Sequence, residues 1–200
     1  FELMNAFGSR HEPFLFGIDF EVKRGFFIEP EKAAEAGIFF DINGTSNSTE
    51  SATSGPPVQM LKHPVAQSEY EKAFKIVHQN LAEGNSYLAN LTFPTHIELN
   101  VSLPEIFARS NARYRLLFAD RFVVFSPEIF VQIEAGNIRS FPMKGTIDAS
   151  MPDAEKVILS DVKETAEHNT IVDLIRNDLG MVASDVKVER FRYIEKIVTN

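Results

Sequence analysis

Pro142-Met143-Lys144-Gly145-Thr146 stands where the chain changes character. Before it, residues 114–141 carry short apolar runs broken at Asp120-Arg121 and Ala135-Gly136-Asn137. The breaks are hairpin-sized, so the runs predict a meander of strands over 114–119, 122–125, 129–134 and 138–141. After it, from about residue 153 to Gly180, the pattern predicts helices. Runs of antiparallel strands separated by helices predict an α+β fold, with the helices on outer sheet faces.

The same region carries a set of chemical groups. Ser126-Pro127-Glu128 precedes Lys144, and Lys163-Glu164-Thr165-Ala166-Glu167-His168 follows it. An amine, an isolated carboxylate and a carboxylate pair are the parts of one kind of site. The amine is the nucleophile, the first carboxylate carries a proton, and the pair suits a hard metal ion. Each group also has a plainer reading. Lys144 beside Gly145 taken alone is a turn lysine, and Glu128 after Pro127 is a surface turn carboxylate. Asp161-Val162-Lys163-Glu164 reads as a capping box, so Glu164 serves either its own helix end or a metal. Glu167, a turn further in, lacks that alternative. His168 reads as a packing residue, and Asp173, Arg176 and Asp178 read as ion-paired along a helix.

Further out, residues 14–21 and 26–28 predict a hairpin around Lys23-Arg24-Gly25, and residues 38–43 a third strand. Residues 44–57 are nearly all Gly, Ser, Thr, Asn and Pro, which predicts a mobile loop. Asn47-Ser48-Thr49 within it satisfies the glycosylation pattern, but no secretory signal accompanies it. Ser68-Glu69-Tyr70-Glu71 predicts a capped helix with Tyr70, Ala73, Phe74, Val77 and Leu81 on one face, ended by Gly84. Residues 86–93 and 186–198 predict strands. Ser102-Leu103-Pro104-Glu105 predicts the capped start of a short helix.

Bulk properties bound the function. The 200 residues suit a single domain, and 44% hydrophobic with 24% charged residues is a globular balance. Eighteen Phe predict a substantial core, and the absence of Cys excludes disulfides and thiolate metal sites. No run reaches membrane-spanning length, and no signal-peptide pattern opens the chain, so a cytoplasmic address is expected. A net charge of −8 gives no footprint for nucleic acid and repels anions at long range. An anionic substrate therefore needs a local cation or metal. The first residue is Phe1 rather than Met, and a fragment is expected.

Taken together, Ser126-Pro127-Glu128, Pro142-Met143-Lys144-Gly145-Thr146 and the stretch 166–182 resemble the chorismate-utilising enzymes. The resemblance runs from about Tyr70 to the last residue. It implies a four-layer α/β/β/α fold with two large, mostly antiparallel sheets packed together. Lys144 points to the aminodeoxychorismate synthase component I type, where this turn looks like Pro-Ile-Lys-Gly-Thr. In the anthranilate synthases, the enzymatic rival, an Ala usually stands there. The resemblance makes Lys144 the covalent nucleophile and Glu128 the general acid. It gives Gly145 and Thr146 to the substrate carboxylate, and Glu167, assisted by Glu164, to Mg²⁺. It implies chorismate as substrate, ammonia from a glutamine amidotransferase partner, and a place in folate biosynthesis.

Two departures bear on subclass. Leu88 stands where isochorismate and salicylate synthases carry a water-activating lysine, which argues against hydroxyl exchange. Asn111-Ala112-Arg113-Tyr114-Arg115 differs from the Asn-Pro-Ser-Pro-Tyr-like stretch of tryptophan-binding members. The family's further metal ligands, and an arginine for the pyruvyl carboxylate, are expected beyond Asn200. The chain is thus expected to be an incomplete chorismate-binding catalytic domain over 1–200. A non-catalytic scaffold that docks the amidotransferase is the rival of another class.

Overall fold

The computed structural model describes residues 1–48 and 55–197. In order the elements are α1 (Glu2–Ser9), β1 (Leu15–Ile18), β2 (Gly25–Ile28), α2 (Pro30–Ala33), β3 (Ile38–Ile42) and β4 (Thr45–Ser46). Then come β5 (Met60–His63), α3 (Gln67–Ala82), β6 (His96–Leu99), α4 (Leu103–Arg109), β7 (Tyr114–Phe118) and β8 (Phe122–Ser126). The series closes with β9 (Gln132–Glu134), β10 (Asn137–Arg139), α5 (Ala154–Ser160) and α6 (Val162–Gly180). The class is α+β, with all pairings among the described residues antiparallel. The largest sheet has four strands in the order β4-β3-β7-β8, and three two-stranded ribbons accompany it. This is consistent with part of the layered chorismate-type architecture.

The core sits under the four-stranded sheet. Ala33, Ile38 and Phe40 are buried together, and Leu15, Phe26, Ile28, Leu116 and Phe118 pack around them. Phe107 and Ala108 of α4 and Leu117 of β7 are buried as well. Arg115 ties this region together. Its guanidinium donates to Asp41 Oδ2 at 3.0 Å and to the carbonyls of Phe107 and Ser110, and it lies over the Phe107 ring. The α4 start is the expected capping box, with Ser102 and Glu105 satisfying each other's backbone amides.

Beyond that core the chain is thinly packed. Its accessible surface is 15561 Å², whereas a compact monomer of 22.5 kDa exposes about 9,500 Å². The expected helix face of α3 is half-buried at Ala73, Val77 and Leu81, while Tyr70 and Phe74 remain exposed and stack at 6.1 Å.

Several expectations are corrected. Residues 44–57 begin as a hairpin, not a loop. Asn43 (φ 52°) and Gly44 (φ 89°) both take the left-handed region and turn β3 into β4, as a tight hairpin turn requires. Residues 49–54 of the predicted loop lie outside the described ones. Past β4, the Asn47 side chain replaces a strand. Its Oδ1 accepts from Phe40 N–H and its Nδ2 donates to Ile38 C=O, both at 2.9 Å. The glycosylation pattern therefore falls on an amide nitrogen already engaged in the sheet edge.

The Ser68 capping box does not form. The helix starts two residues early with Ala66 at its N-cap, and Gln67 Nε2 holds Glu71 at 2.8 Å instead. Its end is as expected, with Gly84 at φ +77° and Asn85 N–H turned back to Asn80 O at 2.9 Å. Residues 86–93 and 186–197 have no ladder partner and form no strand; 198–200 are outside the described residues. The meander also breaks after β8, because Pro127 supplies no N–H to continue pairing, and β9 and β10 form their own ribbon.

Replacing Asn47 with Ala leaves Phe40 N–H and Ile38 C=O unpaired beside the buried core. The expected loss is about 1–3 kcal/mol, read as a lowered urea midpoint with unchanged slope.

Candidate active site

Three segments build the site. Ser126 begins the first: its hydroxyl accepts from Glu128 N–H at 3.1 Å and donates to Glu128 O at 2.8 Å. This local turn directs the Glu128 carboxylate to Met143, whose N–H it accepts at 2.8 Å. The carboxylate is therefore fixed to the backbone N–H of the residue before Lys144. Glu128 and Lys144 are both exposed, and among the described residues no carboxylate pairs with Lys144.

The second segment is the turn 142–146. Gly145 sits at φ +68°, and a β-carbon there would lie 2.8 Å from Glu164 Oε2 and 3.2 Å from Glu164 Cδ. Glycine is favoured by the left-handed backbone, and a β-carbon there would also have to push the Glu164 carboxylate aside.

The third segment is the first two turns of α6. Asp161 caps it, with Oδ1 accepting from Glu164 N–H at 2.9 Å. The cap leaves the Glu164 carboxylate free to reach Gly145. Lys163 Nζ lies 3.1 Å from Glu164 Oε1 and 3.0 Å from Glu167 Oε1. These hydrogen bonds, to Glu167 first and then Glu164, raise the lysine above its ordinary pKa. The ammonium stands between two carboxylates one helical turn apart, in the place of a cation. Oxygen donors so arranged fit a hard ion that completes its shell with water.

Lys144, Gly145, Thr146 and Glu164 line one open cavity of about 1460 Å³, with α5 forming another wall. Glu128 and Glu167 lie outside its lining. His168 is also in the wall. Burial first, and then the nearby Arg192 charge, holds its pKa below the usual imidazole value. Its ring packs edge-on against Phe191 at 5.2 Å, as a packing residue does. Arg176 pairs with Asp173 at 3.2 Å along the helix. Sequence reasoning missed Arg192, Tyr193 and Asp148 as wall residues. Arg192 was hidden within an expected strand. Its backbone instead turns at φ 51°, and its guanidinium donates to Ile158 O at 3.1 Å.

Comparison with known proteins gives the family. A model of the chorismate binding enzymes matches residues 26–199. The chain belongs to that family. A PabA-like protein of Haemophilus influenzae is 50% identical over 198 residues, covering 99% of this chain and 60% of that protein. Aminodeoxychorismate synthase component 1 of Salmonella typhimurium is 32% identical over 146 residues, covering 66% of this chain and 32% of that protein. Anthranilate synthase component 1 of Aquifex aeolicus is 45% identical over 78 residues, covering 36% of this chain and 16% of that protein. The chain spans about 60% of the length of the PabA-like relatives from Haemophilus influenzae and Pasteurella multocida. No solved structure matches it. No described helix is long and apolar enough to cross a membrane.

Gly145→Ala is expected to cost about 1 kcal/mol or more and to displace the Glu164 carboxylate. Thermal denaturation reads the first effect, and the Glu164 side-chain carbonyl shift in NMR reads the second.

Proposed function

We propose that this site aminates chorismate at C4, with Lys144 as a transient covalent nucleophile. The supporting observation is the Glu128 carboxylate bonded to Met143 N–H at 2.8 Å, beside a lysine that lines the cavity. Lys144 Nζ, as free amine, attacks C2 of the ring. The double bonds shift, the C4–O bond breaks, and Glu128 supplies the proton that makes the hydroxyl leave as water. Ammonia then attacks C4, the double bonds shift back, and the C2–N bond to Lys144 breaks. The surplus proton of the incoming ammonia returns to Glu128. Chorismate and ammonia become 4-amino-4-deoxychorismate and water, with the enolpyruvyl group retained.

Gly145 and Thr146 offer a backbone N–H and a hydroxyl to the substrate carboxylate. Glu164 and Glu167 would hold Mg²⁺, which supplies the positive charge that an acidic chain lacks for that carboxylate. The same reading includes a glutamine amidotransferase as ammonia source, a role in folate biosynthesis and a cytoplasmic address. The cavity is wider than one ring needs. Completion of its walls is assigned to the part of the relatives' length that this chain does not span.

The match to an anthranilate synthase favours one rival product, and a single assay separates the two. The intact protein is incubated with chorismate, Mg²⁺ and ammonium. Aminodeoxychorismate, converted to 4-aminobenzoate only when a lyase is added, is the expected product. Direct appearance of anthranilate would overturn the proposal. Lys144→Ala is expected to abolish both turnover and any substrate-derived mass on the tryptic peptide. Glu128→Gln is expected to lower turnover roughly 10²–10⁴-fold. Undiminished turnover in the lysine variant would remove the covalent step.

Lys163→Met tests the metal pair without reference to activity. The repulsion between a unit charge and a divalent ion about 4 Å apart is about 2 kcal/mol in water. Mg²⁺ affinity by calorimetry should therefore rise, by up to roughly thirtyfold. Weaker binding would mean that the pair is not the metal site.

A further inference from the structure

The β5–β6 ribbon carries a second group of ligand-type side chains, apart from the lysine cavity. His63 stands directly opposite His96 in the antiparallel register. Strand side chains alternate between faces, so Glu98 shares the face of His96 and lies diagonal to His63. The three converge in fact as well as in register. His63 Nε2 and Glu98 Oε1 are 2.8 Å apart, and the two imidazole rings are 5.4 Å apart at 37°. One donor atom from each residue lies within 4.8 Å of the other two, and among the described residues this is the one such group of three.

A cross-strand hydrogen bond accounts for His63 and Glu98 but not for His96. Among the described residues His96 has a ring contact with His63 and no hydrogen-bond partner. Two imidazoles side by side with one carboxylate form a donor set, not a charge-balanced pair. Bonds from a tetrahedral zinc-type ion to His nitrogen and Glu oxygen run about 2.0–2.2 Å, so bound donors sit about 3.4 Å apart. All three residues are exposed, which leaves their side chains free to rotate toward such an arrangement.

We propose that His63, His96 and Glu98 bind one divalent first-row transition ion of the zinc type, with a fourth position left for water. Imidazole favours such ions over Mg²⁺ and Ca²⁺, which take oxygen shells. The site is thus chemically distinct from the carboxylate pair of α6 and does not depend on the amination proposal. His63 and Glu98 are 35 positions apart in sequence. The ion would close the loop that contains α3 and fasten a ribbon that has only two strands.

The test uses Co²⁺ as a spectroscopic probe on the intact, metal-free protein. One equivalent is expected to give visible d–d absorption of tetrahedral intensity. Zn²⁺ should displace it, and Mg²⁺ in large excess should not. His63→Ala, His96→Ala and Glu98→Gln should each weaken Co²⁺ binding roughly tenfold or more, with far-UV circular dichroism unchanged. X-ray absorption on the unaltered protein, which needs no variant, should count two imidazoles and light-atom donors. Absence of saturable uptake, displacement by Mg²⁺, indifference to all three substitutions, or a shell without imidazole would each overturn the proposal.

Discussion

The missing β-carbon at Gly145 is the constraint on which the candidate active site depends. With the backbone at φ +68°, the α-carbon presents a bare face to α6, and the Glu164 carboxyl group closes onto it. That contact brings the lysine turn against a side chain from the first turn of the helix. Everything else in the site is hung from one side of it or the other. Glu128 grips the turn through Met143 N–H, and Lys163 draws Glu164 and Glu167 together on the helix. The lysine turn has no regular secondary structure of its own. Its shape comes from these side-chain-to-backbone contacts, so the catalytic proposal and the local fold rest on the same few atoms.

Two cationic side chains of the region have contrasting surroundings. Lys163 is fully committed to two carboxylates, whereas Lys144, at the cavity wall, has none among the described residues. The proposed reaction asks Lys144 for a free lone pair, whereas Lys163 is held by its counter-ions. The division follows from position on the backbone. Lys163 lies a single residue before Glu164 and one helical turn before Glu167, and Lys144 is on a turn whose neighbouring carboxylates, Glu128 and Glu164, are directed to Met143 and Gly145 instead.

Where the determinants were local, the sequence was legible. Ser102 and Glu105 cap α4 as their spacing requires, Gly84 stops α3, and the runs around Asp120 and Ala135-Gly136 close as hairpins. The residues of the lysine turn and of α6 were also legible, because the motif lies within a short span of chain. What failed was anything that needed a distant partner. Residues 86–93, of mixed character, and 186–197 carry apolar residues suited to strands, yet that composition does not supply a neighbour to pair with. Arg192 enters the cavity wall only because its backbone turns, and nothing in Phe191-Arg192-Tyr193 announces that. The Asn43-Gly44 turn is a different case. Its signal was present, and the low-complexity composition after it obscured a strong hairpin dipeptide.

Asn47 carries one more consequence. Its carboxamide acts as a surrogate peptide group along the edge of β3, donor facing acceptor at both ends. Hydrolysis of that amide during ageing would exchange the donor for an anionic oxygen aimed at the Ile38 carbonyl. The damage would add one negative charge and open the sheet from its rim. Old preparations should thus lose order first at β3, and charge-sensitive electrophoresis would track the change.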